Sequence, residues 1–459
     1  MDNDGREAGP DAAFALARVE RALEGRFPSR MVPDLERITD VLDLLGSPQQ
    51  AFASVHITGT NGKTTTARMV DALLREFGLR TGRYTSPHLQ SVVERIAVDG
   101  DPVGPERFAA AYDDVAPYVE LVDGRHSERM TFFEVLTAMA FATFADVPVD
   151  VAVVEVGLGG RWDATNVLSS PVVVVTPIGL DHVGILGDTV EAIAAEKAGI
   201  VHPGAVVVEA PQPRGAAAVI AARADEVGAT VVRAGTDFGV RTRAVAVGGQ
   251  LLALQGLAGV YDEVFLPLHG AHQAGNAASA LAAVEAFFGA GVGGAASGRG
   301  PLDIDVVRAA FAGVTSPGRL EIVRRSPTVI LDGAHNPAGA AALASALEEE
   351  FDFDRLVAVV AVLDDKDVAG LIEALEPVVS SVVATTNGSP RALPADALAD
   401  VARDVLGDQR VEVAGRLDDA IEAAVTAAEV GPLGGGGVLV TGSIVTVGEA
   451  RQLLVGRPA

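Results

Sequence analysis

Residues 53–77 read ASVHITGTNGKTTTARMVDALLREF. The apolar run Ala53–Ile57 predicts a strand, Thr58–Thr66 a glycine-bearing loop and Ala67–Phe77 a helix. Strand, loop and helix in that order form a phosphate cradle: backbone amides of the loop and helix N-terminus face the anion, a lysine reaches the β- and γ-phosphates, and a hydroxyl serves Mg²⁺. Gly59, Thr60, Asn61, Gly62, Lys63, Thr64 and Thr65 occupy those places. The strict pattern wants glycine at position 57, where Ile57 stands, but Gly59-x-x-Gly62-Lys63-Thr64 is intact. The plain alternative is a glycine turn beside a surface lysine.

Outward from this loop, short β-branched runs alternate with Ala/Leu-rich helical patterns, which predicts an α/β fold with a mostly parallel sheet. Val151–Val156 and Val172–Thr176 are apolar throughout, as strands covered on both faces are. Ala205–Glu209 follows as a shorter strand, after a helix Thr189–Gly199 for which Gly199 would be the C-cap. Val231–Leu268 reads as an antiparallel appendage, Gly289–Pro301 as a flexible loop and Ile304–Ala312 as a helix. Thr315-Ser316-Pro317-Gly318 is a turn-forming cluster. Beyond it the alternation restarts, with strands expected at Thr328–Leu331, Leu356–Leu363, Ser381–Thr385, Arg410–Val413 and Gly437–Thr441. The expected plan is therefore an N-terminal P-loop ATPase domain over 1–314, a linker over 315–318 and a smaller Rossmann-like α/β domain over 319–459.

The 459 residues suffice for two or three domains, each with a real core. With 35 basic and 61 acidic residues the net charge is −26, a balance that repels nucleic-acid phosphates and acidic lipid surfaces. Without cysteine there is no disulfide and no thiolate ligation or catalysis, so any metal sits on oxygen or imidazole. The acidic N-terminus lacks the basic and apolar regions of a secretory signal, and apolar runs such as Val135–Ala145 fall short of a membrane span. A cytoplasmic protein is expected.

Only Lys63, Lys197 and Lys366 are lysines, against 32 arginines. A primary amine cannot be exchanged for a guanidinium where it touches phosphate as a point charge or forms a covalent adduct, so their positions carry weight unless three lysines survived by chance. The strand from Val151 ends in Glu155, and the strand from Val172 leads to Asp181-His182, both at the carboxyl edge where open α/β sheets bind ligands. Glu155 suits a hard cation that bridges phosphates. Its alternative is an ion pair with Arg161. Lys197, near a helix C-terminus, is either a dipole partner or a required amine. Asp332 to Pro337 and Asp364 to Asp367 end strands of the second unit, which points to a cleft between the units.

Taken together, these residues resemble the folylpolyglutamate synthase/dihydrofolate synthase family within the Mur-ligase-like ATP-dependent amide ligases. The resemblance runs from about residue 33 to 454. Thr58–Thr64, Thr85-Ser86-Pro87-His88-Leu89 with Glu94-Arg95-Ile96, Phe133-Glu134 and Glu155–Val167 carry it. So do Asp181-His182 through Gly199, His272-Gln273-x-x-Asn276, Pro317–Glu321, Asp332–Pro337, Asp365-Lys366-Asp367, Thr441-Gly442-Ser443 and Val447-Gly448-Glu449.

The resemblance implies ATP on the first-domain loop, one Mg²⁺ held by Ser86, Glu155 and Thr64, and a second near His182. It implies a carbamylated Lys197 as an oxygen ligand, with Lys63, Lys197 and His182 as the catalytic set. Asn276, Arg319, Asp332 and His335 match positions around the nucleotide; Thr131, Phe133, Asp163 and Ala164 match the region where the pterin of dihydropteroate binds. The implied chemistry is phosphorylation of a substrate carboxylate, then attack by the amine of L-glutamate. Anionic reactants in an acidic protein call for a locally positive cleft, for which Arg83, Arg161 and Arg319 are the candidates. The resemblance also implies a monomer that takes dihydropteroate or a reduced folate. Gly-Lys-Thr-Thr-Thr is the Mur ligase form of the loop, whereas Ser86–Leu89 and Gly160–Asn166 look like the folate branch. A muramyl-peptide ligase and a P-loop regulatory ATPase are the alternatives.

Overall fold

The computed structural model describes residues 10–27, 32–291, 300–430 and 435–456. An eight-stranded sheet has the order β4-β3-β2-β5-β1-β6-β7-β8. Its strands are β1 (Ala53–Thr58), β2 (Thr81–Tyr84), β3 (Ile96–Val98), β4 (Asp101–Pro102), β5 (Val151–Glu155), β6 (Val172–Val175), β7 (Val206–Glu209) and β8 (Thr230–Arg233). From β2 through β8 neighbours run parallel, while β3 and β4 form an antiparallel edge.

Alternation along the buried strands feeds two cores. Val151 and Val153 of β5 pack with the helices Lys63–Glu76 and Ala271–Phe287, whereas Ala152 and Val154 pack with Phe132–Asp146. Burying each valine stabilises the fold by roughly 1.5–3 kcal/mol relative to leaving it exposed. Because β1 lies between β5 and β6, the chain leaves β1 in one direction and returns on the other side, and a crevice opens at their carboxyl ends.

β9 (Gly239–Ala246), β10 (Gly249–Gln255) and β11 (Val260–Leu266) form a separate antiparallel sheet. The expected appendage thus begins at Gly239; Val231–Arg233 belongs to β8 of the large sheet instead. Most of the glycine-rich segment, residues 292–299, lies outside the described residues.

The third sheet has the order β12-β13-β17-β14-β15-β16. It comprises β12 (Glu321–Arg325), β13 (Thr328–Leu331), β14 (Arg355–Val360), β15 (Ser381–Ala384), β16 (Val411–Val413) and β17 (Gly436–Thr441), all parallel to their neighbours except β12. The strand expected to reach Leu363 stops at Val360, and Leu363 makes only an isolated bridge to Ala392.

Gly199 is not a left-handed cap. It sits in the 3-10 turn Ala198–Ile200, where a Cβ would lie 2.6 Å from the Arg161 Cα. Glycine is needed there for close backbone approach. The P-loop helix starts earlier than expected, at Lys63, with Gly62 as its left-handed N-cap at φ +87°.

Candidate active site

β1 delivers the loop Gly59–Gly62 to the crevice, and its glycines are sterically required. A Cβ on Gly59 would fall inside the Thr176 hydroxyl, and one on Gly62 would lie 2.7 Å from Asn276 Oδ1. The helix Ala271–Phe287 thereby seats Asn276 directly on the loop, and Asn276 Nδ2 donates to Gln273 Oε1 at 2.9 Å.

All three lysines converge on this edge. Lys63 Nζ donates to the Gly59 and Thr60 carbonyls, each at 3.2 Å, and Lys197 Nζ donates to the same Gly59 carbonyl at 2.8 Å. Lys366 Nζ reaches across from the second unit to Asp181 Oδ1 at 2.6 Å. Lys197 is 5% exposed, and burial, reinforced by the Lys63 charge, pulls its amine down to about 7. Burial also lowers Lys63, against the opposing charges of Glu155 and Asp181.

Glu155, 1% exposed at the end of β5, accepts from the Thr64 hydroxyl at 2.9 and 3.0 Å and from the Ser86 backbone N–H at 3.2 Å. Burial pushes its carboxyl up, while Lys63, Thr64 and Ser86 pull it back. Arg161 does not pair with it; that side chain is exposed, and its backbone N–H donates to Glu196 O at 2.8 Å. The loop after β5 lies on the end of the Lys197 helix so closely that a Cβ on Gly160 would sit 2.8 Å from both the Glu196 and Lys197 carbonyls.

Asp181 is engaged by the second unit. Lys366, His335 Nε2 at 3.4 Å and Asn336 Nδ2 at 3.2 Å all come to it from the second unit. Burial alone would raise its carboxyl, but the bond from His335, the nearby His182 and Lys366 outweigh it and hold the group well below the usual range. Asn61 and Asn336 exchange side-chain bonds at 3.1 and 3.2 Å beside it. His182 is left-handed at φ +51°, and its Nε2 lies 3.9 Å from Asp181; burial brings it down to about 4.

The cationic lining differs from expectation. Arg83 is 3% exposed and salt-bridged to Asp71 at 2.6 Å, because alternation along β2 turns it onto the helix Lys63–Glu76. Its charge is spent in the core, which removes it as a substrate contact. Arg319 lies against Gly333, where a Cβ would meet its Nη1 at 2.3 Å, and its guanidinium has no side-chain acceptor among the described residues. Asp332 accepts from the Leu320 and Ala334 N–H groups, each at 2.9 Å, and so fixes the turn that carries Arg319. His335 Nδ1 bonds the Gly333 carbonyl at 2.9 Å.

On the other side of β5, the Phe133 ring covers Gly157, where a Cβ would be 2.5 Å from it, and lies 5.7 Å from the Tyr84 ring. Thr131 caps that helix in a reciprocal box with Glu134. Asp163 accepts from the Leu158 and Thr165 N–H groups and the Thr165 hydroxyl, which holds the glycine loop in shape; Ala164 is buried beneath it. Sequence reasoning did not pair Asp181 with Lys366, Asn61 with Asn336, or Arg95 with His88, whose ring accepts from Arg95 Nε at 2.9 Å. The one available signal was that each sits in a motif at the end of a strand.

A lysine-bearing phosphate loop, a buried carboxylate and a second α/β unit closing over them define an ATP-dependent ligase of the Mur type. Mur ligase middle domains match residues 57–284, and the Mur ligase glutamate ligase domain matches residues 318–444. The chain belongs to the dihydrofolate synthase/folylpolyglutamate synthase family. It is 53% identical to the dihydrofolate synthase/folylpolyglutamate synthase of Mycobacterium tuberculosis, over 97% of this chain and 95% of that one. It is 33% identical to the Escherichia coli enzyme of the same name, over 98% and 97%. The structure matches Mycobacterium tuberculosis folylpolyglutamate synthase complexed with ADP at a TM-score of 0.92 and 53% identity, covering 98% of this chain and 100% of that one. It matches E. coli FolC in complex with DHPP and ADP at 0.83 and 31%, covering 98% and 100%. Among the described residues no helix is long and apolar enough to cross a membrane.

Proposed function

We propose that this ATP-dependent ligase joins L-glutamate to dihydropteroate and to the glutamyl tail of reduced folates. The observation that carries the reading is the convergence of all three lysines on one loop edge, two of them on the Gly59 carbonyl. A regulatory ATPase needs Lys63 alone and leaves the buried Lys197 amine without a purpose.

A substrate carboxylate oxygen attacks the γ-phosphorus of ATP, the bond to the bridging β,γ-oxygen breaks, and ADP leaves. The amine of L-glutamate then adds to the acyl phosphate carbonyl; phosphate departs and the nitrogen loses a proton. Lys63, Arg319, Asn276 and the loop amides orient the nucleotide and meet its charge. His335 and Asp332 hold the second unit's side of that site. Phe133, Thr131, Asp163 and Ala164 form the wall on which the pterin rests. Asp181, Lys366 and Asn336 bring the two units together, which keeps water from the acyl phosphate. This reading takes residues 1–314 as the nucleotide unit and 319–459 as the closing unit, joined by 315–318, in a cytoplasmic monomer.

The donors Glu155, Ser86 and Thr64 are all oxygen and are grouped around one buried carboxylate, the donor chemistry a hard divalent cation takes. Mg²⁺ fits there, and His182 suits a second. Such ions supply charge neutralisation on the phosphates. Lys197, with its amine at about 7, is in part uncharged at neutral pH where an ordinary lysine is fully protonated, and a free amine combines with CO₂ to give a carbamate. The test is ADP release that requires both L-glutamate and a pteroate or folate; release independent of L-glutamate would refute the ligase reading for this chain.

A further inference from the structure

We propose that His88 is a substrate-contacting hydrogen-bond donor, through Nε2–H, to the carboxylate oxygen activated in the ligation, and that Arg95 is the positioning residue that fixes this tautomer. The inference rests on the ligase reading above and assigns that site a further residue.

Arg95 has only donors, and its Nε bonds His88 Nδ1 at 2.9 Å. Nδ1 must therefore be the acceptor, and the proton of the neutral ring is on Nε2. Among the described residues Nε2 has no protein acceptor, so the ring presents an N–H with no partner of its own.

The arrangement is built with care. Arg95 is 9% exposed, and its guanidinium carbon lies 5.1 Å over the Phe132 ring. Among the described residues no carboxylate lies within ion-pair distance of it. An unpaired buried cation is costly, and so is its retention for packing alone. Glu94, one residue away, turns to the backbone N–H groups of Leu89, Gln90 and Ser91, each at 2.8 Å, and fixes the loop that carries His88. That loop begins at Ser86, whose N–H is on Glu155, and Phe132 adjoins Phe133 of the proposed pterin wall. His88 is thus two residues from the Ser86–Glu155 bond, and its partner Arg95 packs on the residue next to Phe133; in the proposed arrangement its free N–H lies between the pterin wall and the nucleotide.

Side-chain geometry separates donor from scaffold. In His88→Gln the amide nitrogen reproduces Nε2, whereas His88→Asn reproduces only the Nδ1 end. With dihydropteroate, ATP and L-glutamate, the expected result is a fall in kcat of about 100-fold for His88→Asn, as for loss of one oxyanion donor. His88→Gln should remain within about threefold, with thermal midpoints close to wild type for both. Arg95→Met should cost about tenfold in the wild-type chain and less than about twofold in the His88→Gln chain, where no tautomer needs fixing. Equal losses in both backgrounds, or equal activity of the Asn and Gln variants, would overturn the inference. If Arg95→Met fails to fold, the Asn and Gln pair decides alone. A wild-type chain that ligates while His88→Asn is unaffected overturns this inference only; a wild-type chain that ligates no glutamate overturns the functional reading and this with it.

Discussion

Lys197→Met keeps the unbranched stem of the side chain as far as Cε, removes the amine, and should stabilise the protein while abolishing ligation. The buried amine is drawn from 10.5 to about 7, first by burial and then by Lys63. At 1.36 kcal/mol per pH unit, the protonated form is roughly 4–5 kcal/mol worse off here than in water. Losing the bond to the Gly59 carbonyl returns about 1 kcal/mol, and no more, because Lys63 still donates to that oxygen. The net expectation is a gain of roughly 3 kcal/mol at pH 7. The sign follows from proton binding. Between the folded and unfolded values the unfolded chain holds more protons, so wild-type stability rises with pH from about 7 toward 10.5 and is flat below. The methionine variant lacks that slope. Urea unfolding in CO₂-free buffer at pH 6, 7 and 9, beside ADP release at pH 8, measures both. A variant that is less stable than wild type and still ligates would refute the assignment of Lys197 as a functional amine held at the expense of stability.

Two further predictions concern how the units are held together. Lys366→Met breaks the 2.6 Å pair with Asp181 and should cost about 3 kcal/mol, the lower end for unpairing a buried charge. His335 and Asn336 remain on the carboxylate, and the loss should appear as a raised KM for ATP in steady-state kinetics. Glu350 ends the helix Pro337–Glu350 with its side chain fully buried, accepting from Arg243, from His269 Nδ1 at 2.7 Å and from the Gly270 N–H at 2.8 Å. That helix is therefore fastened to the first unit at both ends. Glu350→Gln should cost about 3–5 kcal/mol and split the urea transition into two, seen by comparing far-UV and near-UV circular dichroism.

Much of the fold could be read in advance because buried parallel strands are continuous β-branched runs. β1, β5 and β6 stand out in the sequence for that reason. β2, with the sequence TGRY, does not: Gly82 is there because a Cβ would lie 2.6 Å from the Phe144 ring, and Arg83 because Asp71 awaits it. Neither cause is local. β12, an antiparallel edge strand rich in charge, is hidden for the same reason.

The candidate site divides likewise. The loop residues and Glu155 follow from strand-end position, and the scarcity of lysine singles out Lys63, Lys197 and Lys366. What stayed hidden was which charge meets which. Asp181 and Lys366 are 185 residues apart, and only the fold shows that the carboxylate is already taken by the second unit. The sequence offered Arg83 and Arg161 as equals of Arg319. Strand alternation buries the first, and tight glycine packing at Gly160 and Gly199 carries the second outward.

The most direct test is ADP release by the purified chain with Mg²⁺ and ATP, with and without L-glutamate, against 7,8-dihydropteroate, tetrahydrofolate and a UDP-linked muramyl peptide. Release that needs L-glutamate and occurs with both pterins, and not with the muramyl peptide, is the result this account predicts. Release without L-glutamate, or only with the muramyl peptide, would contradict it.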